Sequence, residues 1–423
     1  MDLLIRNGRV VDPAQQIDET LDVSCSGAKI LRLGKKLPVP SPRTEIIDAR
    51  GLVVTPGWID AHCHLREPGR EDEESIASGA AAAASGGFTT LMAMPNTTPC
   101  IDNAALVAFV LNEGARTPVR VLPIGAITRD RAGKELTEMA EMAERGAVAF
   151  SDDGNCLADS RILRRALEYS RLAGRPLIDH PEDPALSRNG AMNEGTLSTR
   201  LGLAGIPREA EEIAVSRDIA LAGLTGGPLH LAHLTTAGSV ELVRQGKKKG
   251  LPVTAEVTVH HLTLTEAAVS GYDTNAKVSP PLRTAADIKA LRKGLRDGTI
   301  DIIVTDHAPH SVEEKETDFQ NAACGMIGLQ TALPLVNELA GEIPLAVLVA
   351  GLTCNPARIF GLKECGSLQP GYRADLAIYD PESSWVLTPE LILSRSRNTP
   401  FLGRRLKGRL VRTVCGGRTV FKA

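Results

Sequence analysis

Between residues 56 and 305, apolar runs of strand length alternate with stretches of helix-like composition, and this alternation constrains the fold more than any other feature. The runs cover residues 56–61, 89–94, 119–124, 147–151, 176–179, 228–232, 252–256 and 301–305. Helix-like composition appears between them, for example at 71–84, 208–224 and 284–296. A strand that reads as a nearly continuous apolar run is buried on both faces, as in a parallel sheet covered by helices. Eight such units predict an α/β protein built on a (β/α)8 barrel, with the runs at 119–124 and 252–256 the least distinct. A chain of 423 residues has room for that barrel and one smaller domain.

Both ends have a different texture. The first 55 residues break into short predicted strands at 3–5, 9–11, 21–24, 29–33 and 45–48, separated by turn residues such as Asn7-Gly8 and Ser26-Gly27. Strand-like segments return at 375–379 and 410–420, the second folded around Gly416-Gly417. Neither end holds enough strands to bury a core alone. The two are therefore expected to form one small β-sandwich domain from 1–55 and 360–423, leaving 56–359 for the barrel. The stretch 181–207 carries few periodic signals and is expected to be a long loop over the site.

Composition removes several classes of function. A net charge of −3 gives no general attraction to nucleic acid or to an anionic membrane. The eight cysteines are dispersed without a C-x-x-C pair, which points to reduced thiols in the cytoplasm rather than a disulfide framework or zinc knuckle. The opening residues are too few and too polar for a signal peptide, and the alanine run at 80–84 falls far short of a membrane span. Aromatic residues are only 3% of the chain, so its core has to be built from Ala, Val, Leu and Ile.

The reactive side chains fall where the predicted strands stop. The first run leads into Asp60-Ala61-His62-Cys63-His64-Leu65-Arg66. Histidines at i and i+2 on an extended segment point the same way, so His62 and His64 can share one metal ion, while alternation aims Cys63 away. The motif is weak alone; its place at a strand's carboxyl end strengthens it, because barrel active sites gather there. Later runs end in Asn96, in Asp152-Asp153, in His180, in His230 and His233, and in Asp306, with His307 and His310 just beyond. Nitrogen and carboxylate ligands without thiolate suit Zn²⁺, and less specifically Mn²⁺, Co²⁺ or Fe²⁺. Either aspartate of the 152–153 pair can bind while the other caps a turn. His230 and His233 lie on opposite strand faces, so one of them is expected at the mouth. His260 and His261 are read as structural, and Lys247-Lys248-Lys249 as a solvated helix end.

The segments D-A-H-C-H-L-R-E-P-G, A-M-P-N-T, F-S-D-D-G, D-H-P-E-D, V-S-P-P-L-R and T-D-H-A-P-H, in this order, resemble the dihydroorotase family of the amidohydrolase superfamily, and most closely its class I bacterial branch. The resemblance covers essentially the whole chain. It implies that His62, His64 and Asp306 bind one zinc, that His180 and His233 bind a second, and that Asp153 bridges them. One or two ions per chain are compatible with it, because many superfamily members bridge with a carboxylated lysine and none stands here. It also implies a cradle of Arg66, Asn96 and His310 for the substrate carboxylate, with Ser279, Cys324 and Gly325 around the ring. Ser279 stands where relatives often carry Asn, and Pro181 where Cys is common.

The implied activity is zinc-dependent, reversible cyclisation of N-carbamoyl-L-aspartate to L-dihydroorotate in pyrimidine synthesis, with Asp306 as base and then acid. A small-molecule substrate, assembly with copies of the chain and a complex with aspartate transcarbamoylase go with that reading; nucleic acid and membrane do not. Two alternatives stand beside it. One is a hydantoinase or allantoinase, whose substrates lack the ring carboxylate that Arg66 would hold. The other is a silent subunit that scaffolds aspartate transcarbamoylase, which would be expected to have lost metal ligands that this chain keeps.

Overall fold

The computed structural model describes residues 2–423; Met1, the first residue of the expected small domain, lies outside them. The first strands are β1 (Asp2–Asp12), β2 (Ile17–Ser26), β3 (Lys29–Gly34), β4 (Glu45–Asp48) and β5 (Val53–Pro56). Asn7-Gly8, read from sequence as a turn between two strands, instead sits inside β1. The β1–β2 register shifts between Ile5 and Gly8, and Asn7 takes a positive φ of 61°. The turn residue is spent on a bulge, which lets one long strand bend without ending.

Eight strands follow, each at one of the apolar runs: β6 (Trp58–Cys63), β7 (Phe88–Ala93), β8 (Arg120–Pro123), β9 (Phe150–Ser151), β10 (Leu177–Asp179), then, after a short pair β11 (Met192–Asn193) and β12 (Gly205–Ile206), β13 (Leu229–Leu231), β14 (Val253–Thr258) and β15 (Ile302–Val304). Helices such as Ile76–Ser85, Ser160–Ala173, Glu209–Thr225 and Ala285–Arg296 lie between them. The strands pair in parallel as β6-β7-β8 and as β9-β10-β13-β14-β15. A parallel bridge between Gly125 and Phe150 joins the two groups. At the other side Asp306 N donates to His62 O at 3.0 Å and Cys63 bridges His307. Ala61, Met92, Ile178 and Ile302, from four of these strands, meet in one buried cluster with Phe360. That layer lies beneath the strand ends, so the polar residues above it stand on a packed floor.

The stretch 181–207 is not a bare loop. It holds β11, the helix Thr196–Leu201 and β12, and Met192 and Asn193 pair in parallel with Gly205 and Ile206. Arg283 holds it down, donating to Asn193 Oδ1 at 2.8 Å and to Ile206 O at 2.7 Å. A long-range ion-dipole contact of this kind leaves no periodic trace in the local sequence.

The chain closes with β16 (Leu376–Val386), β17 (Arg405–Cys415) and β18 (Arg418–Lys422). They join the amino-terminal strands in one sheet of order β18-β17-β16-β5-β1-β2-β3, with β4 against β1. Leu3, Ile5, Val10, Val23, Ile30, Leu376, Ile378 and Val414 share its core. Gly416 and Gly417 form the tight β17–β18 turn at φ 56° and 72°, values that a side chain would disfavour. Lys247 is not simply solvated: its ammonium reaches Asp301 at 2.6 Å and ties its helix to the loop before β15. No helix among the described residues is long and apolar enough to cross a membrane.

Candidate active site

A cavity of about 240 Å³ opens at the carboxyl ends of the parallel strands, lined by His64, Arg66, Asn96, Asp153, Gly154, His180, His233, Ser279, Asp306, Ala308, His310, Cys324 and Gly325. Of the ligands and substrate contacts that the resemblance implies, His62 does not line it, being fully buried behind the wall. A larger cavity, about 300 Å³, lies against Trp385, Leu391, Leu393 and Phe421. Its walls are mainly apolar and bring no cluster of titratable groups together, so the chemistry belongs to the first cavity.

One wall is a cluster of buried imidazoles and carboxylates. Asp153 Oδ1 lies 3.4 Å from His62 Nε2 and 3.6 Å from both His180 Nδ1 and His233 Nε2. Its other oxygen is 3.5 Å from His64 Nε2. Asp306 Oδ1 stands 3.1 Å from His64 Nε2 and 3.6 Å from His62 Nε2. His180 Nδ1 and His233 Nε2 are 2.9 Å apart. These donors form two overlapping groups suited to an ion, His62-His64-Asp153 and Asp153-His180-His233. A tetrahedral ion at about 2.0–2.1 Å from each ligand holds its ligands about 3.3 Å apart, which matches these spacings.

Two further observations test whether a cation fits. Among the described residues, His62 Nε2 and Asp153 Oδ1 are buried without a hydrogen-bond partner, a costly arrangement unless something else occupies the space between them. The electrostatics point the same way. Burial opposes a charge on Asp153, yet His62, His180 and His233 hold its carboxyl well below the usual range. Burial likewise opposes the charge on Asp306, but its close contact with His64 and the charge of His62 keep it low. Burial opposes protons on His62 and His180; Asp153 and Glu256 nevertheless lift His62 well above its ordinary value, and Asp153 and Glu182 lift His180 to about 10. Protons on these rings offset the carboxylates, a task that a divalent ion also performs. The donor set therefore fits a metal ion.

The residue choices left open by sequence separate by contact. Asp152 accepts from Ile127 N at 2.9 Å, Thr128 N at 3.0 Å and the Thr128 hydroxyl, so it braces a loop while Asp153 faces the cavity. His233 lies two residues beyond the end of β13 at φ 27°, and strand alternation no longer governs it. His230 stays below, its Nδ1 accepting from the Thr254 hydroxyl at 2.7 Å and its Nε2 donating to Glu256 at 3.0 Å. His261 is wedged between the Thr258 hydroxyl and Pro280 O. Cys63 turns away toward Met92 O. Arg66 and Asp306 also take left-handed backbone angles, φ 60° and 47°. Strain at three residues lining one cavity is typical of sites where placement outweighs backbone comfort.

The opposite wall is a cradle of donors. Arg66, which lines the cavity, donates from Nε to Pro309 O at 3.0 Å, pairs with Glu73 at 3.2 Å and places Nη2 3.3 Å from His310 Nε2. Arg70 bridges Glu73 and Glu314 at 3.0 and 2.9 Å. His310 Nδ1 faces Glu314 at 2.7 Å, and its Nε2 faces Cys324 O at 2.9 Å. Glu73, His310 and Glu314 form a third acidic group, but two guanidiniums already occupy it. Asn96 serves both walls: its Oδ1 accepts from His64 Nδ1 at 2.7 Å, leaving its amide NH2 for the cavity. Gly325, at φ 145°, lets the 320–325 loop approach closely, since a Cβ there would stand 2.7 Å from the Ala308 side chain. Lys277 and Lys315 hold that loop from behind through Gln320, Ala322, Ala323 and Gly325 carbonyls.

Glu73, Glu256, Lys277, Glu314 and Lys315 were not singled out from sequence. Glu256 left a readable trace, a lone carboxylate inside a strand that is otherwise Val, Thr and Ala. The others sit in polar stretches where a charged residue signals nothing.

Comparison with known proteins adds an independent line. Residues 51–239 match the family model described as dihydro-orotase-like. The dihydroorotase of Geobacter metallireducens is 48% identical over 425 residues, covering 100% of both chains. That of Pelotomaculum thermopropionicum is 51% identical over 425 residues, covering 100% of this chain and 99% of its own. Among solved structures, the L-hydantoinase (dihydropyrimidinase) of Arthrobacter aurescens superposes with a TM-score of 0.89 at 25% identity, over 100% of this chain and 96% of its own. The dihydropyrimidinase of Brevibacillus agri superposes with a TM-score of 0.85 at 23% identity, over 100% and 95%, a likeness of fold alone.

Proposed function

Because the chain belongs to the dihydroorotase family, we propose that its strand-end cavity interconverts N-carbamoyl-L-aspartate and L-dihydroorotate with the residues described above. The chain is a metal-dependent cyclic amide hydrolase; the residue roles and the choice of zinc are the proposal. The observation that carries it is the sharing of one cavity by an imidazole–carboxylate cluster and an arginine-based anion cradle. A hydantoin or allantoin ring offers no carboxylate to Arg66, and a silent scaffold has no use for either wall.

His62, His64 and Asp306 would hold one ion, His180 and His233 a second, and Asp153 would bridge them. An all-nitrogen-and-oxygen donor set at tetrahedral spacing supports zinc. When bound, the ion supplies Lewis acidity, bringing a water's pKa toward neutrality and polarising a carbonyl. The remaining steps belong to the chain. Arg66 meets the ring carboxylate through parallel hydrogen bonds, with Asn96 and His310 fixing its plane. Ser279 and the backbone of Cys324 and Gly325 border the ring. Asp306, a carboxylate at neutral pH, accepts the proton of the attacking water and returns it to the departing ring nitrogen. Run backwards, the same transfers close the ring.

The parallel strands are read as a (β/α)8 barrel spanning 56–359, a reading supported by the bridges that link β8 to β9 and β15 to β6. The terminal sheet is read as a small composite domain from 1–55 and 360–423, supported by its separate core. Dispersed cysteines support a cytoplasmic location. The test is to count metal ions per purified chain and to assay dihydroorotate and hydantoin side by side. One or two zinc ions with preferred turnover of dihydroorotate is expected; a metal-free active chain, or preference for hydantoin, would overturn the reading.

A further inference from the structure

Glu256 lies in β14, fully buried, and its ion-pair partners among the described residues are histidines only. Oε1 receives two donors: His62 Nδ1 at 2.6 Å and the backbone N–H of His233 at 3.2 Å. Oε2 receives His230 Nε2 at 3.0 Å, and the Thr254 hydroxyl completes the chain at His230 Nδ1. The carbonyl of Glu256 accepts from Leu234 N at 3.0 Å, so the residue holds both ends of the turn that carries His233 in its strained conformation. A buried carboxylate without a guanidinium or ammonium is expensive, and an apolar residue would stabilise the strand better. Its presence there calls for a function.

We propose that Glu256 is a positioning residue that couples the two candidate ion subsites, one oxygen fixing the ring of His62 and the backbone of His233. The inference rests on the metal reading above. Accepting the Nδ1 proton of His62 leaves the Nε2 lone pair as the ring's only ligand atom and points it at Asp153 and Asp306. A carboxylate behind an imidazole also makes the imidazole a stronger donor to a metal. The grip on His233 N–H places the turn from β13 so that its ring meets His180 and Asp153. Asn96 does the same for His64 from the cavity side, but Asn96 also faces substrate and Glu256 does not. His230 and Thr254 in turn keep Glu256 from rotating.

The test is a metal titration with a competing chelator on wild type, Glu256→Gln and Glu256→Asp, together with metal-free melting and turnover of dihydroorotate. Glu256→Gln keeps the shape but replaces an acceptor with a donor. Its affinity for zinc should fall about 10–100-fold, with kcat reduced, KM near wild type and the metal-free melting temperature unchanged or raised. Glu256→Asp should recover part of the lost affinity. Zinc affinity of Glu256→Gln within twofold of wild type would overturn the positioning role while leaving the metal reading intact. A wild-type chain that binds no zinc would overturn both. If Glu256→Gln loses its native circular dichroism, His230→Leu carries the test: roughly a threefold to tenfold loss is expected, and unchanged affinity would overturn the proposal.

Discussion

The two walls of the cavity are built in different ways. The imidazole–carboxylate wall is buried, rises from strand ends and holds its rings by hydrogen bonds, with Glu256 behind His62 and Asn96 on His64 from the cavity side. The cradle wall stands on loops and is held by ion pairs that run outward to solvent, from Arg66 at 11% side-chain exposure through Glu73 to Arg70 at 41%. The first wall could cleave many cyclic amides. The second, in the proposed reading, would select an anion. The proposed roles would thus place activation on the rigid scaffold and identity on adjustable loops, a division that loops positioned by a scaffold commonly show.

The largest effect should come from the first wall. Asp306→Asn removes the proposed proton carrier and should lower kcat by about 10²–10⁴-fold in a dihydroorotate assay, with KM little changed. An equal fall in Arg66→Met for every substrate would erase the distinction between the walls. Arg66→Met should instead lower kcat/KM for dihydroorotate about 10²-fold, through loss of charged hydrogen bonds worth about 3 kcal/mol. Its activity on dihydrouracil, the same ring without the carboxylate, should stay within a few fold of wild type.

This division also explains how much could be read without a structure. The strand-end wall was legible because its residues follow apolar runs, and period and position fix where a strand delivers its last side chains. The choice between His230 and His233 was not, because β13 stops at Leu231 and the backbone turns before His233. Asp152 and Asp153 separated only through the Thr128 loop, a contact across 24 residues. Arg66 stood out by position, but its role needed the resemblance, since nothing local distinguishes a cradle arginine from a surface one. Glu73 and Glu314 meet across the fold through Arg70 and leave no local pattern. In the fold, the eight parallel strands were legible, whereas Asn7-Gly8 read as a turn because a bulge and a turn use the same residues.

Acidity should weaken the first wall more than the second. Protons on His180, lifted to about 10 by Asp153 and Glu182 against its burial, and on His62, raised by Asp153 and Glu256 against its own burial, must leave before an ion binds. Metal affinity should therefore fall as pH drops below about 10, by up to about tenfold per unit for each proton displaced. Chelator titrations at pH 6.5, 7.5 and 8.5 read the slope, and a flat profile would place the ion elsewhere. The smallest effect belongs to the cradle. Ser279→Asn lengthens a side chain at the cavity edge and should lower KM for dihydroorotate about fivefold, the worth of one added hydrogen bond of about 1 kcal/mol. A rise in KM would mean that Ser279 already makes that contact.

The central claim, one cavity with a metal wall facing an anion cradle, is tested most directly by anomalous diffraction at the zinc edge from crystals soaked in dihydroorotate. Anomalous peaks are expected within bonding distance of Asp153 and its histidine neighbours, with the ring carboxylate on Arg66 across the cavity. Zinc bound away from Asp153, or a carboxylate turned toward the histidines, would contradict it.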